Sequence, residues 1–153
     1  MQQDDRLIYL ISRAQHNLMT HLKKELNARG TSITPVQAGI LFLLRKNTHT
    51  MTKLSQILSI DNSAITGLVD RLEKSGLAQR TANPDDRRAY LIRITEKGKA
   101  EIDRAYVTIK RVNEEIKSGF SADEIDTFKR ILNSLLDRFA KDASGNNRNL
   151  SEV

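Results

Sequence analysis

Residues 83–88, Asn83-Pro84-Asp85-Asp86-Arg87-Arg88, put two carboxylates directly before two guanidinium groups in a stretch with turn chemistry. Adjacent arginines on an exposed tip suit a polyanion. A carboxylate two residues before an arginine can hold its guanidinium in a bidentate pair until that partner arrives. An arginine so presented gains most in a narrow minor groove, where negative potential is focused. The pattern assigns Asp86 as organiser and offers either arginine for insertion, with Arg88 favoured and Arg87 then on phosphate; the alternative to both is a merely soluble turn. Upstream, Ser63, Ala64, Thr66 and Gly67 form a small polar surface. Small side chains let base edges come close in a major groove, with two hydroxyls for polar readout and a methyl for thymine. Ser63 serves there or caps its helix. Gly67 costs helix propensity, so either backbone approaches nucleic acid at that point or neighbouring packing is tight. Arg71 and Lys74 lie later, as phosphate contacts or a solvated face, and Lys53 and Ser55 are secondary phosphate candidates. Asp70 pairs locally. Arg80 and Arg93 sit at the base of the 76–95 segment, divided between structural salt bridges and contact with a nucleic-acid backbone.

Bond-breaking chemistry finds no equivalent. No nucleophile–base constellation or phosphate-binding glycine loop is present. Cysteine is absent, which excludes disulfides, thiolate catalysis, cysteine-ligated metal and thiol redox sensing by this chain. Of the three histidines, His16 and His21 are five residues apart and share no helix face, while His49 falls in a loop. The expectation is no enzyme, no metal and no cofactor. The 153 residues make one domain-sized unit, and 25 basic against 19 acidic side chains favour a polyanionic partner. The start Met1-Gln2-Gln3-Asp4-Asp5 lacks a signal-peptide n-region, and no apolar run approaches the roughly 20 residues of a membrane span. A soluble, cytoplasmic protein without a membrane partner is expected.

The elements that must carry these residues can be read from periodicity and caps. Leu7, Ile11, Ala14, Leu18, Leu22 and Leu26 stripe a helix from Asp4 to about Ala28, stopped by Gly30. Thr34-Pro35-Val36-Gln37 combines a capping box with Pro at the first helical position, opening a helix faced by Val36, Ile40, Leu41, Leu43 and Leu44. A short helix from about Thr52 to Ser59 should bury Leu54, Ile57 and Leu58. Asp61, Asn62 or Ser63 caps the next, which runs to Ser75 with Ile65, Leu68, Val69 and Leu72 inward. Two short helices and a tight turn at Ser59-Ile60-Asp61 make a helix-turn-helix pattern. A hairpin follows, its return strand alternating Tyr90, Ile92 and Ile94 against Ala89, Leu91 and Arg93. Thr95 caps a long helix to about Ser118, and Ser121-Ala122-Asp123-Glu124 opens a last one with Ile125, Phe128, Leu132, Leu135, Leu136 and Phe139. Long helices with broad apolar faces need a partner helix to cover them.

Taken in order, this pattern resembles the MarR family of bacterial winged-helix transcriptional regulators over nearly the whole chain. The resemblance is carried by Ser63 to Leu77 with Arg80, by Asn83-Pro84-Asp85-Asp86-Arg87-Arg88, and by Leu91-Ile92-Arg93-Ile94-Thr95 with Gly98. It implies a mainly α fold with a small β-hairpin, in which a winged helix-turn-helix lobe (34–95) is flanked by long dimerisation helices (1–30 and 96–142). Residues 1–142 would form one unit, followed by a frayed tail at 143–153. It further implies a homodimeric repressor on double-stranded operator DNA, its pseudo-palindromic half-sites about one helical turn (roughly 34 Å) apart. A small-molecule effector, aromatic acids among those bound by relatives, would release it. Arg13, His16 and Met19 are the pocket residues this implies; core or surface is the competing role. Gly67 departs from the long side chain many relatives carry nearby. The competing reading is a winged-helix protein-interaction module without operator binding, which should expose apolar residues on the same face.

Overall fold

The computed structural model describes residues 5–140. In chain order the elements are α1 (Leu7–Ala28), α2 (Pro35–Lys46), β1 (His49–Thr50), α3 (Met51–Leu58), α4 (Asn62–Lys74), β2 (Ala78–Ala82), β3 (Tyr90–Ile94), α5 (Glu96–Lys117) and α6 (Ala122–Arg138). The chain is mainly helical around a small antiparallel sheet, and a winged helix-turn-helix lobe sits between long helices. The sheet has three strands rather than the two of a hairpin, in the order β1-β3-β2. β3 pairs with β2 from Ala78↔Ile94 to Ala82↔Tyr90, and with β1 through His49↔Ile92 and Thr50↔Leu91. Two residues are too few to show a period, so β1 has no sequence signature of its own. The helix start expected at Asp4 and the frayed tail expected at 143–153 lie outside the described residues.

Local chemistry sets most of the boundaries. The Thr34 hydroxyl accepts from the Gln37 amide while the Gln37 side chain accepts from the Thr34 amide, with Pro35 at the first helical turn. Ser121 and Glu124 repeat this reciprocal box at α6. Asp61, not Ser63, takes the N-cap of α4, and Ser63 lies inside the helix, exposed. Gly76 turns the chain out of α4 at φ +73°, a left-handed conformation that any side chain would resist.

One core unites lobe and stem. Ile40, Leu41, Leu54, Ile65, Val69, Leu72 and Ile92 are fully buried in the lobe, and Leu26, Ile102 and Ala105 continue the same cluster into the α1–α5 stem. The burial expected of Ile57 is corrected, and two other apolar side chains stand outside the core with it. Ile57 and Val36 are exposed because α3 and the first turn of α2 each have a bare flank. Tyr90 is exposed because β3 outruns the core at its wing end. Polar ties hold the stem. Buried Glu101 accepts from the Ser32 amide (2.9 Å) and pairs with Arg104, while Arg111 on α5 pairs with Glu25 on α1. The Arg111 hydrogen bond, helped by its charge, holds the Glu25 carboxyl below its ordinary pKa. This tie is therefore present at neutral pH and lost only as pH falls through that lowered value.

At the junction between sheet and stem the backbones pack closely. The Thr95 hydroxyl donates to the Gly76 carbonyl (2.6 Å) and accepts from the Gly98 amide (3.0 Å), and the Thr95 amide donates to the Leu77 carbonyl (3.1 Å). Gly98 lies against that Leu77 carbonyl: a Cβ built on it would sit 2.1 Å from the oxygen. By contrast, both ends of the stem are bare. Leu7, Ile8, Tyr9, Leu10 and Ile11 are all exposed, and α6 buries none of its side chains although Phe128, Ile131, Leu132 and Leu136 form an apolar stripe along it. No helix among the described residues is long and apolar enough to cross a membrane.

Candidate nucleic-acid interface

α3, the turn 59–61 and α4 form the helix-turn-helix. The turn depends on Ser59, which adopts φ +52°, the left-handed region rarely used by residues with a side chain. The Ser55 hydroxyl donates to the Ile60 carbonyl at 2.5 Å and closes the bend. That hydroxyl, expected to contact phosphate, has its proton committed inside the turn. Lys53 stands exposed in the first turn of α3, its amide accepted by the Thr50 hydroxyl.

The outward face of α4 carries Ser63, Ala64 and Thr66, all exposed. The Thr66 hydroxyl donates to the Asn62 carbonyl (2.9 Å), leaving its lone pairs and methyl outward. Around Gly67 the space is open: a Cβ there would meet only Arg71 Nη2, at 3.9 Å. Tight packing therefore does not explain this glycine. Arg71 and Lys74 are exposed, and the guanidinium of Arg71 lies back over Gly67 rather than at the C-terminal turn.

A charged clamp connects this helix to the wing. Arg80 on β2 donates from Nη2 to Asp70 at 2.5 Å and from Nη1 to Glu73, and Glu73 also accepts the Arg80 amide at 2.9 Å. The Asp70 hydrogen bond, with Glu73 beside it, raises the Arg80 pKa further. Of the two roles open to Arg80 the geometry assigns the structural one, and Asp70 pairs locally as expected. Arg93, across from Gln79, stays exposed.

Two successive turns build the wing tip. The Asn83 side-chain oxygen accepts the Asp85 amide (3.0 Å), and Asp86 Oδ1 accepts the Arg88 amide (2.9 Å). The expected bidentate Asp86–Arg88 pair is absent: Arg88 Nε reaches the same oxygen only at 3.5 Å, and its side chain is 93% exposed. A carboxylate two residues before an amide closes a local turn more readily than it reaches along a free side chain. Asp86 thus shapes the backbone, and Arg87 and Arg88 project from the tip into solvent.

A cleft of about 430 Å³ lies between lobe and stem, lined by Phe42, Arg45 and Lys46 of α2 and by Asp103 and Tyr106 of α5. Phe42 meets Tyr106 edge-on at 5.9 Å, and Arg45 pairs with Asp103 at the rim. None of Arg13, His16 and Met19 lines it; Arg13 and His16 are exposed on α1 and Met19 is half-buried. Sequence reasoning missed this cleft. The spacing of Phe42, Arg45 and Lys46 puts them on one helix face, but only the packing of α2 on α5 brings Asp103 and Tyr106 opposite.

Comparison with known proteins agrees with this geometry. The family model for the MarR family matches residues 33–90. The multiple antibiotic resistance protein MarR of Salmonella typhimurium is 29% identical over 133 residues, which cover 86% of this chain and 89% of that one. The transcriptional regulator BldR from Sulfolobus solfataricus superposes with a TM-score of 0.80 at 25% identity, over 91% of this chain and all of that one. A mutant MarR from Escherichia coli complexed with operator DNA superposes with a TM-score of 0.78 at 28% identity, over 86% and 94%. Motif, helix order, wing and a likeness over most of the chain coincide, and residues 33–90 match the MarR family of winged-helix transcriptional regulators, whose members are not enzymes.

Proposed function

We propose that this chain is a cytoplasmic, homodimeric repressor that binds a pseudo-palindromic operator and is released by a small aromatic anion. The observation that carries the DNA reading is the pairing of a small-residue, polar α4 face with a wing tip whose two arginines stand free of the lobe. The operator complex of the Escherichia coli relative supports the same use of the fold. α4 enters the major groove with Ser63, Ala64, Thr66 and Gly67 against base edges, Lys53 and Lys74 meet phosphates, and the wing follows the adjacent minor groove with Arg88 inserted and Arg87 on the backbone. A protein-interaction module would expose apolar side chains on this face; here it is polar and cationic. Dimerisation is supported by the bare apolar stripes of α1 and α6, which a second copy can cover reciprocally. The domain division follows: 34–95 as the DNA lobe, the flanking helices as the dimer stem.

Fluorescence anisotropy with the chain's own upstream DNA tests the wing. Arg88→Ala should weaken binding by about 1–3 kcal/mol and leave thermal stability unchanged. Unaltered affinity in that variant would remove Arg88 from the contact.

For release, the α2–α5 cleft is the better site than α1. Its aromatic wall and its Arg45–Lys46 rim suit a planar anion, whose carboxylate would replace Asp103 on Arg45. The Arg45–Asp103 pair is half-exposed and worth at most about 1 kcal/mol, so the exchange is easy, and it loosens a tie between lobe and stem. A ligand that binds the loosened state better shifts the dimer away from operator-compatible spacing. Benzoate or salicylate at millimolar concentration should dissociate the wild-type complex and have at least tenfold less effect on Arg45→Ala. Equal sensitivity of the two proteins would move the effector site elsewhere.

A further inference from the structure

We propose that Arg71 is a base-reading residue, reaching a guanine in each half-site through the opening that Gly67 leaves on α4. This rests on the operator-binding reading above and adds to it the source of sequence choice. Side chains on a helix lean toward its N-terminus, so an arginine covers the turn before its own Cα. Here the lean is realised, because a Cβ on Gly67 would lie 3.9 Å from Arg71 Nη2 and would touch nothing else. The guanidinium therefore sits one turn forward of its residue number, over the leading half of the helix, where α4 would meet base edges rather than phosphates.

Nothing on the helix holds it back. The positions that could pair with it at three or four residues' distance are Gly67, Leu68, Lys74 and Ser75, none of them acidic. The two nearby carboxylates, Asp70 and Glu73, are both taken by Arg80. The clamp from the wing thus leaves Arg71 without an internal competitor. Around it, Ser63 and Ala64 are short and the Thr66 hydroxyl proton is committed to Asn62, so Arg71 is the strongest donor on this surface. A planar guanidinium presents two parallel N–H groups that match guanine O6 and N7, the commonest specific contact in a major groove. The missing side chain at 67 and the long one at 71 act as one device.

The test is binding-site selection from randomised duplexes with the full chain, followed by anisotropy on duplexes changed one base pair at a time. Wild-type protein should favour a G·C pair at one position per half-site by about tenfold or more. Arg71→Ala should lose that preference while keeping those at other positions. Arg71→Lys, which keeps the charge but not the fork, should lose it too. Gly67→Leu, which puts a side chain into the opening where a Cβ would meet only Arg71 Nη2, should give the same loss. Thermal melts of the two Arg71 variants should match wild type, and Gly67→Leu should melt no lower. If Arg71→Ala weakens binding equally on every duplex and Arg71→Lys restores it, Arg71 is a phosphate contact and the proposal fails, with operator binding intact. If wild-type protein enriches no duplex, the operator reading itself fails and takes this one with it.

Discussion

Replacing Gly98 with alanine should destabilise the protein by about 3 kcal/mol or more, although the same change in an open helix stabilises. The new Cβ would lie 2.1 Å from the Leu77 carbonyl oxygen and 2.8 Å from Ile94 Cγ1. Neither can yield cheaply. The Leu77 carbonyl is fixed by the Thr95 amide, and Ile94 continues the strand paired with Ala78. To accommodate the methyl, α5 must move off the sheet, and the Thr95 bonds to Gly76 and Gly98 that join wing to stem would lengthen. Gly67→Ala is the matched control. It too lies inside a helix, but its Cβ meets only the tip of a flexible arginine, so it should gain about 0.5–1 kcal/mol from propensity. Urea unfolding of the two variants should give shifts of opposite sign. Destabilisation of the same size in both would mean that the 77–98 contact is not what requires glycine.

The second large effect concerns α6. Leu132→Glu combined with Leu136→Glu should dissociate the dimer and reduce operator affinity by about 100-fold or more, to the non-specific level. Both leucines are exposed on the chain's own surface, Leu132 at 38% and Leu136 at 62%, so the isolated fold loses little when they change. In a dimer each would bury about 1.5–3 kcal/mol of apolar side chain, and the variant would instead place four charges in the interface. Sedimentation velocity should show wild-type protein as a dimer and the variant as a folded monomer with an unchanged circular-dichroism spectrum. A variant that remains dimeric would place the interface away from α6.

How far the sequence could be read follows from the range of the forces involved. Elements closed by local chemistry were legible: the Thr34–Gln37 and Ser121–Glu124 boxes mark the helix starts the structure has, and Gly30, Gly76 and Gly119 mark the stops. Stripes also read well as helices, but a stripe does not say what covers it. Leu26 and Leu7 belong to one repeat, yet the first is fully buried and the second is bare. Ile57 kept a helical spacing and still faces solvent, because α3 is packed on one side only. Contacts made across the chain were not legible. β1 exists only because β3 offers it an edge, and Arg80 is held by residues seven and ten positions away on another element. At the wing, Asp86 and Arg88 were found from their spacing, but the spacing could not tell a turn-forming carboxylate from an arginine holder; the 2.9 Å bond to the amide does. Gly67 posed a choice between close approach and tight packing, and only the empty space around it decides.

Hydroxyl-radical footprinting of the wild-type chain on its own upstream DNA tests whether two lobes act together. A dimer carrying two copies of α4 and its wing should protect two patches related by a two-fold axis, their centres about 10–10.5 base pairs apart, each flanked by minor-groove protection that Arg88→Ala removes. A single patch without symmetry, or protection spread evenly along the duplex, would contradict a two-lobed reader.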